Sequence, residues 1–203
     1  MLSFLYAREK LIFFGNILFI VCCGFYLVWW LTAFYPSASK PSGGGVGTGW
    51  LLIPASITGL LGVILAVRGI LVKNPVIQLL PAGYILWGGI AAYFILLAVT
   101  VLLLKRPLTS ELILIVGWGM LALAEINTLF GIGLFPQRLS IVFLVIICAA
   151  VVISLVCYVL YYRLDSRAGY IDGMIPLVLA ALATAAISVV ICKNCSGNPF
   201  YLG

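Results

Sequence analysis

Histidine is absent from the 203 residues. Its absence removes His-ligated haem, most zinc and non-haem iron sites, and every Ser-His or Cys-His nucleophile pair. Acidic residues are nearly as scarce: Glu9, Glu111, Glu125, Asp165 and Asp172 are all there are, too few for a carboxylate-rich metal or phosphoryl-transfer site. Charged residues of both signs make up 8% of the chain, against about 25% in soluble domains. A folded chain of this length still needs a polar shell in water, and these residues cannot supply one, so the solvent of its surface is expected to be lipid. The net charge of +6 comes from eleven Lys and Arg, which fall mostly at the ends of apolar runs and can snorkel toward headgroups. No nucleic-acid surface is read from them.

What the chain has in abundance is hydrophobic residues, 65% of the total. A hydrocarbon core of about 30 Å is crossed by about 20 apolar residues in a helix. Six stretches qualify, at about 11–34, 50–70, 81–104, 108–134, 140–162 and 171–192. The expected fold is all-α, a polytopic transmembrane helical bundle with short connecting loops, forming a single transmembrane domain over 1–203. Connections after the first span are short, so sequence neighbours should pack antiparallel. The first stretch follows Arg8-Glu9-Lys10 and could be mistaken for a signal peptide, but its apolar run is too long for a typical h-region and no small-residue cleavage site ends it. The 35–49 connection, with Pro36, Pro41 and Gly43-Gly44-Gly45, reads as loop. No Lys-Ser or Lys-Thr opens a helix after it, as a phosphate-binding loop requires. Three-plus-three inverted symmetry is not visible: Pro54 and Pro176 both lie early in their helices, but in spans two and six.

Orientation follows from Lys and Arg on cytoplasmic loops. With the N-terminus inside, Arg8, Lys10, Arg68, Lys73, Arg138 and Lys193 face Lys40, Lys105, Arg106, Arg163 and Arg167. That one-residue margin decides little; the basic cluster abutting span one, with the long Gly/Ser loop then facing outside, favours cytoplasmic termini, in a multi-pass protein expected in the plasma membrane.

Glu125 is the first functional candidate, because an ionisable group within a span is expensive and marks a site by default. Helical spacing sets Trp118, Leu121, Ala122, Thr128, Leu129 and Ile132 around it, with Gly117 and Gly133 about two turns away on the same side. Asn127 points about 200° away. A neutral, protonated Glu125 suits proton coupling; an ionised one suits binding of a substrate ammonium or a structural pair with a cation. Arg68, near the end of span two, is the basic residue that lies partly within an apolar run. Asp172, opening span six beside Gly173, fits an N-terminal helix cap, and Pro176 can open the backbone one turn on. The expected substrate-binding set is therefore Glu125, Trp118, Thr128, Arg68 and Asp172. The residues name no cofactor and no metal ligand set.

Small residues form two stripes: Ala55, Gly59, Gly62 and Ala66 in span two, and Ala181, Ala185, Ser188 and Cys192 in span six. Such stripes allow close helix approach in lipid, either to each other or to a partner membrane subunit or second copy; lipid is the remaining partner. Trp29, Trp30, Tyr35, Trp50, Tyr161 and Tyr162 lie near helix ends, as aromatic belts do. Trp87 and Trp118, with Tyr93, could line a pocket or simply pack. Cys192 and Cys195 form a C-x-x-C at the lip of the last span, the spacing of dithiol oxidoreductases, although membrane enzymes of that kind relay electrons to a second cysteine pair in a loop, and no loop here has one. Cys22, Cys23, Cys148 and Cys157 read as soft packing residues. Asn194-Cys195-Ser196 fits the glycosylation pattern.

Three functions follow. The first is a protein that binds or transports a small molecule through a pocket built from spans two, four and six around Glu125. The second is a non-catalytic structural subunit of a larger membrane complex, and the third a membrane dithiol oxidoreductase.

Overall fold

A computed structural model describes residues 8–34, 49–71, 79–80, 82–99, 110–161 and 163–196. Of these, 91% are helical and none lies in a strand. The helices are α1 (Arg8–Ala33), α2 (Leu52–Leu71) after a 3₁₀ turn at Gly49–Leu51, α3 (Ala82–Ala98), α4 (Ser110–Gly131), α5 (Gln137–Tyr161), α6 (Ser166–Asp172) and α7 (Ile175–Ser196). Five stretches are long and apolar enough to cross a membrane: Arg8–Ala33, Gly49–Leu71, Leu114–Gly131, Gln137–Tyr161 and Ser166–Cys195. The expected third span is represented by the shorter apolar helix Tyr84–Ala98; residues 81 and 100–104 of it, like the glycine-rich 35–48 connection, lie outside the described residues.

Two boundaries differ from expectation for backbone reasons. Span four ends at Gly131, not Leu134. Gly133 adopts φ 76°, its N–H bonds the Phe130 carbonyl at 2.9 Å and the Leu134 N–H bonds the Leu129 carbonyl at 3.0 Å. This paired cap needs a left-handed residue, which glycine supplies without steric cost. Span six, expected as one helix from 171, is two. Pro176 has no N–H to give the Asp172 carbonyl four residues earlier, and its ring crowds that carbonyl. The Gly173 N–H instead bonds Gly169 at 3.0 Å, Met174 bonds Ile171 at 3.1 Å, and α7 starts its own ladder with Val178 to Met174 at 3.0 Å.

The helices group into two compact units, one holding α1, α2, the last turns of α5, α6 and α7, the other α3, α4 and the rest of α5. In the first, α1 and α2 run antiparallel with their backbones nearly touching. A methyl group added at Gly15 would come within 2.8 Å of both the Gly62 carbonyl oxygen and the Ala66 amide nitrogen, and one at Gly62 within 2.9 Å of the Gly15 carbonyl. The span-two stripe of Ala55, Gly59, Gly62 and Ala66 thus meets α1 of the same chain, and Gly69 extends it against Ile12. The α7 stripe is rotated from expectation. Of the expected residues Ser188 is buried, Ala181 and Ala185 are half-buried and Cys192 is exposed, and Ala180, Ala183, Thr184, Ile187 and Ile191 complete the buried face.

In the second unit α4 is the inner helix. More than half of its span is buried, 56% against 22–33% for the other four. Gly89 of α3 leaves room for the Met120 side chain, and Gly119 of α4 for Val151 of α5. The outer face of α3 is open, with Tyr84, Trp87 and Phe94 exposed, so Trp87 faces outward while Trp118 packs inside.

The crossing at Gly15 sets a graded expectation. Gly15→Ala pushes backbone against backbone and should cost about 1–3 kcal/mol, as overpacking does. Gly59→Ala meets chiefly the Cys22 Sγ, which can turn aside, and Gly24→Ala meets nothing within 4 Å; both should be near neutral. Reversible SDS unfolding in mixed micelles ranks the three, and equal midpoints would show that the helices do not touch as tightly as this.

Candidate functional site

Glu125 lies on α4, six residues before the helix ends at Gly131, which at 1.5 Å per residue is roughly 9 Å inside. It is 2% exposed, among Ala122, Ile126 and Leu129, which are equally buried, with Trp118 buried two turns before it. Thr128 is buried too, but its hydroxyl donates to the Ala124 carbonyl of its own helix at 2.8 Å, leaving only lone pairs to offer a ligand. Gly133, expected beside Glu125, has left the helix. The other two members of the substrate-binding set belong to the first unit: Arg68 is exposed in the last turn of α2 and Asp172 is buried at the end of α6.

Asn127, expected to point away from Glu125, has a different task. Its Oδ1 accepts from the Leu80 N–H at 2.9 Å and its Nδ2 donates to the Leu80 carbonyl at 2.8 Å. A side-chain amide thus pairs with a peptide group as a β-strand would, at the point where the chain enters α3 and the peptide has no helical partner. Buried peptide groups in hydrocarbon cannot fall back on water.

The α6–α7 break gathers a second set of functional groups. Asp172 is 7% exposed. The Cys157 thiol of α5 lies beside its side chain, whereas its Oδ2 is buried with no hydrogen-bond partner among the described residues. The cap expected of this carboxylate is therefore not made by Oδ2: the residue closes α6, and the amides of α7 do not reach that oxygen. Trp30 of α1 lies against Gly173, where a Cβ would collide with its ring. Its Nε1 donates to the Tyr170 carbonyl at 3.2 Å, and the Tyr170 hydroxyl returns a bond to the Leu31 carbonyl at 3.3 Å. Tyr161 packs on Trp30 with ring centroids 5.9 Å apart.

Sequence reasoning overlooked two of these groups. Cys157 was grouped with packing thiols, and nothing in its neighbourhood along the chain announces Asp172. Asn16 of α1 is 4% exposed with an unpartnered Nδ2, and an amide inside a long apolar run was a readable signal. Trp30 lies against Gly173 at one end, and Glu9 and Lys10 are near enough to Cys195 at the other for their charges to act on it, so α1 and α7 run antiparallel, which sets Asn16 about level with Ile187 and Ser188. No disulfide joins any of the six cysteines, Cys192 being exposed and Cys195 partly so, and no group of three or more potential metal ligands occurs among the described residues.

Fold and composition define a polytopic, all-α, membrane-spanning protein. No family model matches the chain, no curated protein matches its sequence and no solved structure matches its fold.

Removing the Asn127 amide should expose the Leu80 peptide group. Asn127→Ala is expected to speed exchange of the Leu80 amide by tenfold or more, the effect of losing hydrogen bonds at a buried group worth about 1–3 kcal/mol. Hydrogen–deuterium exchange with peptide-level mass spectrometry reads this directly, and unchanged protection would mean that the clasp does not hold the chain there.

Proposed function

We propose that this protein binds a small molecule within the membrane, as a carrier or as the binding component of one, with Glu125 as its polar anchor. The observation that carries the reading is the burial of a carboxyl group, 2% exposed, on the most enclosed of the membrane-spanning helices. Taking such a group out of water is costly, and within spans such residues serve substrate or ion pathways as a rule. Trp118, buried on the same helix, offers an apolar wall, and Thr128 offers acceptor lone pairs one turn beyond. The protein is placed in the plasma membrane with both termini cytoplasmic, in line with the basic cluster at the start of α1. Lipid covers the open faces of α3 and α5, where Tyr84, Trp87, Val145 and Val152 are among the exposed side chains.

Glu125→Gln keeps the volume and removes the charge and proton. Small molecules released on denaturing the purified protein and its Glu125→Gln variant can be compared by untargeted mass spectrometry. A species near one per chain in the parent is expected to fall about tenfold to a hundredfold in the variant, the loss that goes with one charge-assisted hydrogen bond, while gel filtration stays unchanged. Identical released fractions would sink the reading.

A further inference from the structure

The break between α6 and α7 lies at the aromatic-rich end of its unit. Trp29, Trp30, Phe34, Tyr161 and Tyr170 crowd this end of the unit, as aromatic residues do at a membrane interface. Arg163, Asp165 and Arg167, on the connection into α6 and in its first turn, are exposed. On α6 itself Ile171 is 58% exposed, so the short helix offers an apolar side chain outward while Asp172 turns inward.

The buried Asp172 is incompletely served. A carboxylate has two oxygens and about four acceptor sites. Here the side chain nearby is the Cys157 thiol, at best a weak donor, and Oδ2 has no partner among the described residues. A buried polar atom in this state calls for an unseen partner, and the chemistry beside it selects which. One carboxylate and one thiol do not make a metal site, and no cluster of three ligands is found among the described residues. A group carrying N–H donors and a positive charge satisfies Oδ2 by a charge-assisted hydrogen bond, and the Trp30 ring packed at the adjoining Gly173 offers a π surface attractive to a cation.

We propose that Asp172 receives the primary ammonium of an amine at the membrane surface, held between Oδ2 and Trp30. Exposed Arg163 and Arg167 lie at the same end of the unit, where a phosphate joined to that amine would find them, so a phosphoethanolamine headgroup fits the whole arrangement. A free amine shares the ammonium chemistry but makes no use of the arginines. This site stands apart from Glu125 in both residues and ligand, and does not rest on the function proposed above.

Native mass spectrometry of the full chain in detergent tests this with three probes: dioleoyl phosphatidylethanolamine, dioleoyl phosphatidylcholine, and ethanolamine as a competitor. The ethanolamine lipid should bind about tenfold or more tightly than the choline lipid, whose quaternary nitrogen has no N–H to give, and Asp172→Asn should erase that preference. Failure of ethanolamine to compete assigns the site to lipid; competition at similar concentrations assigns it to soluble amines. Equal binding of the two lipids by the unmodified protein, with no effect of ethanolamine, overturns the proposal without any variant. A preference that survives Asp172→Asn overturns it as well. If Asp172→Asn does not fold, Trp30→Phe, which keeps an aromatic surface but gives up the bond to Tyr170, should retain most of the preference.

Discussion

A peptide group that loses its helical partner in hydrocarbon has no water to turn to, and several polar side chains of this protein sit where its helices stop or break. The Asn127 amide spends both its donor and its acceptor on the peptide group of Leu80. Gly133 turns left-handed so that the last carbonyls of α4 are met by Gly133 and Leu134. At the α6 end, the Trp30 indole donates to the Tyr170 carbonyl and the Tyr170 hydroxyl to the Leu31 carbonyl. Where a helix runs unbroken, hydroxyls fold back onto it: Thr32, Thr58, Thr128 and Ser188 each donate to a carbonyl three or four residues earlier. Such groups are satisfied locally and free the chain from finding them partners elsewhere.

The same constraint explains why helix contacts are built from the smallest residues. Lipid tails are as apolar as leucine, so burying leucine between helices gains little, and close van der Waals approach must supply the attraction. At Gly15 and Gly62 the two backbones approach so closely that neither position has room for a methyl group. Met120 over Gly89 and Val151 over Gly119 repeat the arrangement in milder form, a side chain filling the space that glycine leaves. Glycine in a helix costs about 1 kcal/mol in water, a penalty that these contacts must exceed.

Run length made most of the spans legible, because nothing but the membrane demands about twenty apolar residues in succession. It could not resolve how each helix is rotated. A helix buried in a soluble core shows which side is in by polar residues on the other side, whereas here both sides are apolar. The α7 stripe was accordingly read one residue off, on Ala181 and Ala185 where Ala180, Thr184 and Ile187 are buried. The α2 stripe was readable because glycine is rare enough in a helix to carry information of its own. Its partner was not, since α1 contributes a single glycine among Phe14, Asn16 and Leu18. Helix ends were legible only where their chemistry is local. Pro176 could be seen to open the backbone, but the polar Gln137 and Arg138 hid the first turn of α5, and Asp172 looked like the start of a helix when it is the end of one.

Glu125 was visible as a charge inside an apolar run and Asp172 as one at the opening of span six; the first lies six residues inside α4, the second at the end of α6. A carboxyl about six residues inside a helix that is itself enclosed can exchange with a ligand only if that ligand enters the hydrocarbon region, so its partner must be small or largely apolar. At the aromatic end of α1, beside a helix break, a carboxyl needs no such entry. Lipid headgroups reside where aromatic belts lie, and an amine there keeps its solvated side toward water while one N–H turns inward. Depth also bears on specificity. A buried acceptor that only an N–H can satisfy rejects a quaternary nitrogen because the oxygen is then left unpaired, so Asp172 gains its discrimination from the same absence of water that makes Asn127 and Gly133 necessary.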